Sequence, residues 1–127
     1  MLLNLTDLSS EPLQSQISRQ IRAKILAGEL AAGTDLPSIR KFAGQHKVSV
    51  ITVQRAYENL ELQSLIHSRR GKGFFVSELS DKTKKEKANE RLLEKLESPI
   101  IAALDEGLSQ EEIRIIVGKI LEKNGEK

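Results

Sequence analysis

The stretch 36–76, LPSIRKFAGQHKVSVITVQRAYENLELQSLIHSRRGKGFFV, changes its apolar period midway, and that change constrains the fold more than anything else in the chain. Up to Leu60 the apolar residues recur at helical spacing. From Leu65 onward they fall in two short runs on either side of a glycine-containing tip. The stretch therefore reads as helix, tight turn, helix and two-stranded hairpin. Leu36-Pro37-Ser38 introduces the first of these helices, with Ser38 as its N-cap and Ile39, Phe42 and Ala43 facing inward. The second opens at Ser49, whose hydroxyl can accept from a free backbone N–H of the first turn. Val48 and Val53 hold the two positions of a hydrophobic staple. Val53, Ala56, Tyr57 and Leu60 then form one buried stripe.

The opposite face of that helix presents Thr52, Gln54 and Arg55, with Ser49, Val50 and Ile51 at its leading end. The leading end is the part of a helix-turn-helix that enters the DNA major groove. In the hairpin, Arg69, Arg70 and Lys72 surround Gly71 and Gly73; glycine permits positive φ and close backbone approach, and the cations suit phosphates. Between 36 and 76 there are seven cations and two anions, whereas 79–127 carries ten cations and eleven anions. A net charge of +2 says little, but its concentration on the motif is the footprint of a polyanion partner. Arg40 stands in a first helical turn, where the helix dipole disfavours a cation, so an external anion is expected to compensate.

The stretch 12–76 resembles the N-terminal domain of the GntR family of bacterial transcriptional regulators. The landmarks are Pro12-Leu13 with Gln16-Ile17, Gly28, Gly33, Leu36-Pro37-Ser38 with Arg40, Val48-Ser49 with Thr52-Val53, Arg55-Ala56-Tyr57, Arg70-Gly71-Lys72-Gly73 and Phe75-Val76. The resemblance implies a winged helix-turn-helix in residues 1–78 that binds double-stranded DNA. It places Arg40 on the DNA backbone or a base edge and Ser49, Val50, Thr52, Gln54 and Arg55 on the recognition helix. Arg69, Arg70, Lys72 and Gly73 fall in the wing. Gln54 can pair bidentately with adenine. Arg55 either reaches a phosphate or pairs with Glu58 or Asn59 on the helix surface. Three departures stand out. Val50 replaces a frequent arginine and offers a methyl surface for thymine in place of a guanine contact. Lys47 occupies a turn where glycine is common, at a cost of about 1 kcal/mol if that turn needs positive φ. Gln63-Ser64 replaces a residue-glycine helix end.

Outside the motif, Leu2, Leu3, Leu5 and Leu8 make residues 1–11 too apolar for a free tail, so some are expected to pack on a neighbour. A first helix runs from about Pro12 to Gly28, with Leu13, Ile17, Ile21 and Ile25 inward and Gln14, Ser18, Arg22 and Glu29 outward. Residues 29–35 read as a connector. Residues 77–87, with Lys82, Lys84, Lys85 and Lys87, read as a linker running into a solvated helix start, or as a further phosphate contact. Leu92, Leu93, Leu96, Ile100, Ala103, Leu104 and Leu108 keep helical phase across Pro99, either as one kinked helix or as two with Ser98 as a new cap. Gly107 closes that segment. Ser109 to Glu112 is a capping box opening a helix with Ile113, Ile116, Val117, Ile120 and Leu121 on one side.

The whole is expected to be mainly α with a small β-wing: a winged helix-turn-helix domain followed, over 79–127, by a two-helix C-terminal dimerisation hairpin. Two short helices cannot bury both stripes against each other, so Leu92, Leu96, Ile100, Leu104, Ile113, Ile116, Val117 and Ile120 are expected to meet a second copy. The short tail resembles the YtrA subfamily. That resemblance implies a cytoplasmic homodimeric repressor on a pseudo-palindromic operator, with an effector that stays unidentified. A winged helix that binds protein instead of DNA is the alternative.

Enzyme chemistry is not expected. The chain has no cysteine and two histidines, His46 and His67, neither in a metal-spaced cluster. Arg70 to Phe74 lacks the length and following helix of a P-loop. No cofactor or metal is expected, no signal peptide is evident at MLLNLTDLSSEP, and no stretch approaches the ~20 apolar residues of a membrane span.

Overall fold

A computed structural model describes residues 1–125 and divides the chain into two compact units, Met1–Lys84 and Lys85–Lys127. The elements are α1 (Leu13–Leu26), α2 (Ile39–His46), α3 (Val50–Leu62), β1 (Ile66–Arg69), β2 (Gly73–Val76), α4 (Asp81–Asp105) and α5 (Gln110–Asn124).

In the first unit α1 and α2 both pack on α3. Ile17, Ile21, Ile25, Phe42, Val53, Ala56, Tyr57 and Leu60 form its centre, with Leu65, Ile66 and Val76 from the hairpin closing one side. Leucine, isoleucine and valine dominate because aromatics are only 3% of the chain. Phe42 is fully buried, stacked on His46 at 3.9 Å between ring centroids and edge-on to Tyr57 at 6.2 Å. Tyr57 continues the chain of rings to Phe74 at 5.1 Å.

Two residues expected on the outer face of α1 are buried instead. Ser18 donates to the Gln14 carbonyl at 3.1 Å and lies 3.4 Å from that of Ala56; Arg22 donates through Nε to Gln63 Oε1 at 3.0 Å. The α1–α3 contact is wide enough to cover positions flanking the apolar stripe, and each polar group there has a partner, as burial requires.

The first residues pack on their own domain. Met1, Leu3 and Leu5 point inward while Leu2 and Asn4 are exposed, the period-two alternation of an extended segment. Gln20 exchanges two hydrogen bonds with the backbone of Asn4, and Gln16 does the same with Thr6. The spacing explains the match: i and i+4 on a helix are about as far apart as i and i+2 on an extended chain. Leu3 N–H donates to His46 Nε2 at 3.1 Å, while His46 Nδ1 lies 3.1 Å from the Phe42 carbonyl. A backbone N–H only donates and a carbonyl only accepts, so these two partners select the tautomer with the proton on Nδ1.

The connector before α2 is also ordered by pairing. Gly33 N–H donates to the Val76 carbonyl, Val76 N–H to that of Thr34, and Leu36 N–H to that of Phe74, at 2.8, 2.9 and 2.9 Å. Residues 33–36 thus lie along β2 as a third extended segment, with Asp35 bridging Phe75.

Both unusual helix ends adopt the left-handed conformation that glycine would favour. Lys47 closes α2 at φ 54°, and Ser64 follows α3 at φ 61°. After α3, Leu65 N–H returns to the Leu60 carbonyl and Ser64 N–H to that of Glu61, a complete Schellman closure built without glycine. Ser64→Gly should therefore raise stability by about 1 kcal/mol, read as a higher denaturation midpoint with unchanged slope.

In the second unit, the capping box of α5 is present: Glu112 N–H donates to Ser109 Oγ at 3.1 Å and Ser109 N–H to Glu112 Oε1 at 2.9 Å. Those bonds hold the Glu112 carboxyl below its ordinary range. Their contribution is complete at neutral pH and is lost as pH falls through that lowered value. Helix α4 begins at Asp81, within the segment 77–87 read as a linker running into a helix start, and Ser80 Oγ accepts from Thr83 N–H at 3.1 Å there. It continues without a break through Pro99. Gly107, at φ 99°, turns the chain into α5. Neither α4 nor α5 contains a buried residue.

Candidate nucleic-acid interface

The helix-turn-helix is α2, the Lys47 turn and α3. Tyr57 donates its hydroxyl to the Pro37 carbonyl at 2.8 Å, tying the entry of α2 to the middle of α3. Burial raises its pKa, so the phenol stays protonated and the bond holds across the whole useful pH range. Ser38 caps α2 by accepting from Lys41 N–H at 3.1 Å. Arg40, one turn above this anchor, is exposed and forms no ion pair among the described residues.

Ser49 caps α3, accepting from Thr52 N–H at 3.1 Å, and its hydroxyl also lies 2.7 Å from Thr52 Oγ1. The bond between the two hydroxyls uses one of their two O–H donors, and the cap uses one acceptor lone pair. Val50 and Gln54 are exposed, Val50 at 44%. Arg55 is exposed too, and neither Glu58 nor Asn59 holds it.

The wing pairs Ile66 with Val76, His67 with Phe75, Ser68 with Phe74 and Arg69 with Gly73. Alternation sends Ile66, Phe74 and Val76 toward the core and leaves His67, Phe75 and Arg69 on the other face. There the Arg69 guanidinium lies 4.8 Å from the Phe75 ring centre, and His67 stacks on the same ring at 6.1 Å while its Nδ1 meets Ser77 Oγ at 3.1 Å. The ring pre-orients the arginine. At the tip Lys72 N–H donates to the Arg69 carbonyl at 2.9 Å around Gly71 at φ 75°, and Gly73 has φ 97°. Arg70 and Lys72 are exposed and unpaired among the described residues.

All ten residues singled out for nucleic acid, Arg40, Ser49, Val50, Thr52, Gln54, Arg55, Arg69, Arg70, Lys72 and Gly73, belong to the first unit and to elements packed around α3. Ile51, named at the leading end of α3 but not among those ten, is 61% exposed. Helical phase gives it a place on the outer face, since at 100° per residue Ile51 lies opposite the buried stripe of α3. Among the described residues no cluster of His, Asp or Glu could hold a metal ion, and no helix is long and apolar enough to cross a membrane.

A helix-turn-helix with a basic two-stranded wing defines a DNA-binding transcriptional regulator, not an enzyme. The chain belongs to the gntR family of bacterial regulatory proteins, whose model matches residues 13–76. Its relatives include the HTH-type transcriptional repressor YtrA of Bacillus subtilis, 33% identical over 83% of this chain and 81% of that protein. The uncharacterised HTH-type regulator YhcF of the same organism is 40% identical over 58% of this chain and 60% of its own length. Among solved structures, a GntR family transcriptional regulator from Listeria monocytogenes superposes with a TM-score of 0.75 at 30% identity, covering 91% of this chain and 98% of that one. The likeness to YtrA extends beyond the winged helix into the tail and makes this a YtrA-like member of the family.

Proposed function

We propose that this chain is a cytoplasmic homodimeric repressor that binds a pseudo-palindromic operator. In this reading residues 1–78 read the DNA and 79–127 join the two copies. The leading turn of α3 enters the major groove, Arg40 and the wing tip neutralise phosphates, and Gly73 lets the wing approach the minor groove. The observation that carries the DNA contacts is that Arg40, Arg55, Arg70 and Lys72 are exposed with no ion pair among the described residues, on the unit that holds the motif. Repression is supported by the name of the B. subtilis relative.

Dimerisation is supported by the exposed apolar surface of the tail. Leu92, Leu96, Leu104, Ile116 and Ile120 are between 37% and 57% exposed, and Ile100, Ile113 and Val117 are half-buried. Ile101 and Ile115, outside the expected stripes, are 52% and 51% exposed. Apolar surface on more than one side of each helix suits an interdigitated partner with the same sequence.

Titration onto a labelled duplex from upstream of the protein's own gene, against a scrambled duplex at two salt concentrations, tests the reading. Preference of ~10³ or more for the upstream duplex, lost steeply with salt, is expected. Equal weak binding to both would overturn specific recognition. Arg40→Ala should weaken operator binding more than about tenfold and lower the salt slope by about one. Unchanged affinity would remove Arg40 from the interface.

A further inference from the structure

The leading turn of α3 is chemically lopsided. The Ser49 and Thr52 hydroxyls sit 2.7 Å apart and Ser49 also caps the helix, so the pair keeps one O–H donor between them for a base edge. Beside them Val50 and Ile51 expose 44% and 61% of their surface. Both are β-branched, which helices disfavour, and both leave apolar area in water within a basic surface. Down the helix, Ile51, Arg55 and Glu58 follow one row opposite the core, so Ile51 is the side chain projecting farthest outward at the leading end. Gln54, three residues on, is exposed with an amide unpaired among the described residues.

We propose that Ile51, with Val50 beside it, reads thymine methyl groups in the major groove, so that the bases beneath the leading turn of α3 are A·T pairs. This rests on the DNA-binding reading above. Of the major-groove edges only thymine among the four bases presents a methyl group, and a methyl is what an aliphatic side chain can recognise without leaving a polar group unpaired. The surrounding cations Arg40 and Arg55 commit the face to a polyanion, which disfavours an apolar protein surface as its occupant. Gln54 adds the complementary preference, since its amide matches adenine N6 and N7. Ile51 is a specificity-determining residue in this scheme, whereas Arg40, Arg70 and Lys72 supply affinity without sequence.

The test uses the full chain on the duplex selected by the upstream titration, with each thymine of a half-site replaced in turn by deoxyuridine, which removes only the methyl. At one or two positions wild-type affinity should fall about threefold to tenfold, the range for removing one buried methyl. In Ile51→Ala the same replacement should cost almost nothing, because the partner is already gone. Restoring the methyl with 5-methylcytosine·guanine should not restore full affinity, since the adenine opposite is lost; full recovery would overturn A·T reading. Ile51 is a surface residue, and an unchanged thermal melt would show that its replacement leaves the fold intact. Operator-selective binding indifferent to every deoxyuridine would overturn the inference and leave the DNA reading standing. So would a deoxyuridine penalty unchanged in both Ile51→Ala and Val50→Ala. Absence of any preference for the upstream duplex would overturn the DNA reading and the inference with it.

Discussion

Leu96→Asp combined with Ile116→Asp should yield a monomer whose operator affinity is lower by about a hundredfold or more, the range over which linking two binding modules raises avidity. Leu96 and Ile116 are 37% and 46% exposed in the single chain, so aspartate at either position costs the isolated fold little. In a dimer the same positions would be desolvated, and an unpaired carboxylate there would cost several kcal/mol for each copy. The two effects separate cleanly. Sedimentation should report the monomer mass, while the melting of the winged-helix unit, Met1–Lys84, stays unchanged because its core residues, Leu3 to Val76, lie within it. A variant that remained dimeric, or a monomer that kept full operator affinity, would rule out the tail as the joint between two DNA-reading units.

Phe42→Ala should destabilise the winged helix by about 3–5 kcal/mol, the usual cost of emptying a buried aromatic site. Phe42 has no exposed surface, and its ring touches both His46 and Tyr57. Its loss leaves a cavity between α2 and α3 where the backbone cannot collapse, because Tyr57 is tied to Pro37 and His46 to Leu3. Against a total of about 5–15 kcal/mol for a small domain, that loss is a large fraction. Denaturant titration should show the midpoint falling with unchanged slope. A change below 1 kcal/mol would mean that the α2–α3 contact is looser than its packing implies.

Much of this architecture was legible in the residues. The Ser38 and Ser49 caps, the stripe from Val53 to Leu60, the glycine tip of the wing and the capping box at Ser109 are all local features. Each depends on residues within about one or two helical turns, or across one tight turn, where chemistry and geometry are nearly one-to-one. The left-handed conformation of Lys47 was open in the residues, since lysine disfavours it, and was suggested only by the family resemblance, in which glycine is common at that turn. Phase across Pro99 also held, because α4 runs through it unbroken.

What the tertiary structure decided was everything that joins distant segments. Ser18 and Arg22 look like surface residues in the sequence; only the breadth of the α1–α3 contact buries them. The pairing of Gln16 and Gln20 with Thr6 and Asn4, the fixed tautomer of His46, and the alignment of residues 33–36 on β2 are contacts between segments that periodicity does not relate. The site divides the same way. Its residue types and charge were determined by the sequence, since they are properties of side chains. Which groups are held inside the fold and which remain free was decided by packing: Ser49 and Thr52 bond to each other, Phe75 holds Arg69, and Ile51 is left projecting from the helix because the core takes the opposite side of α3.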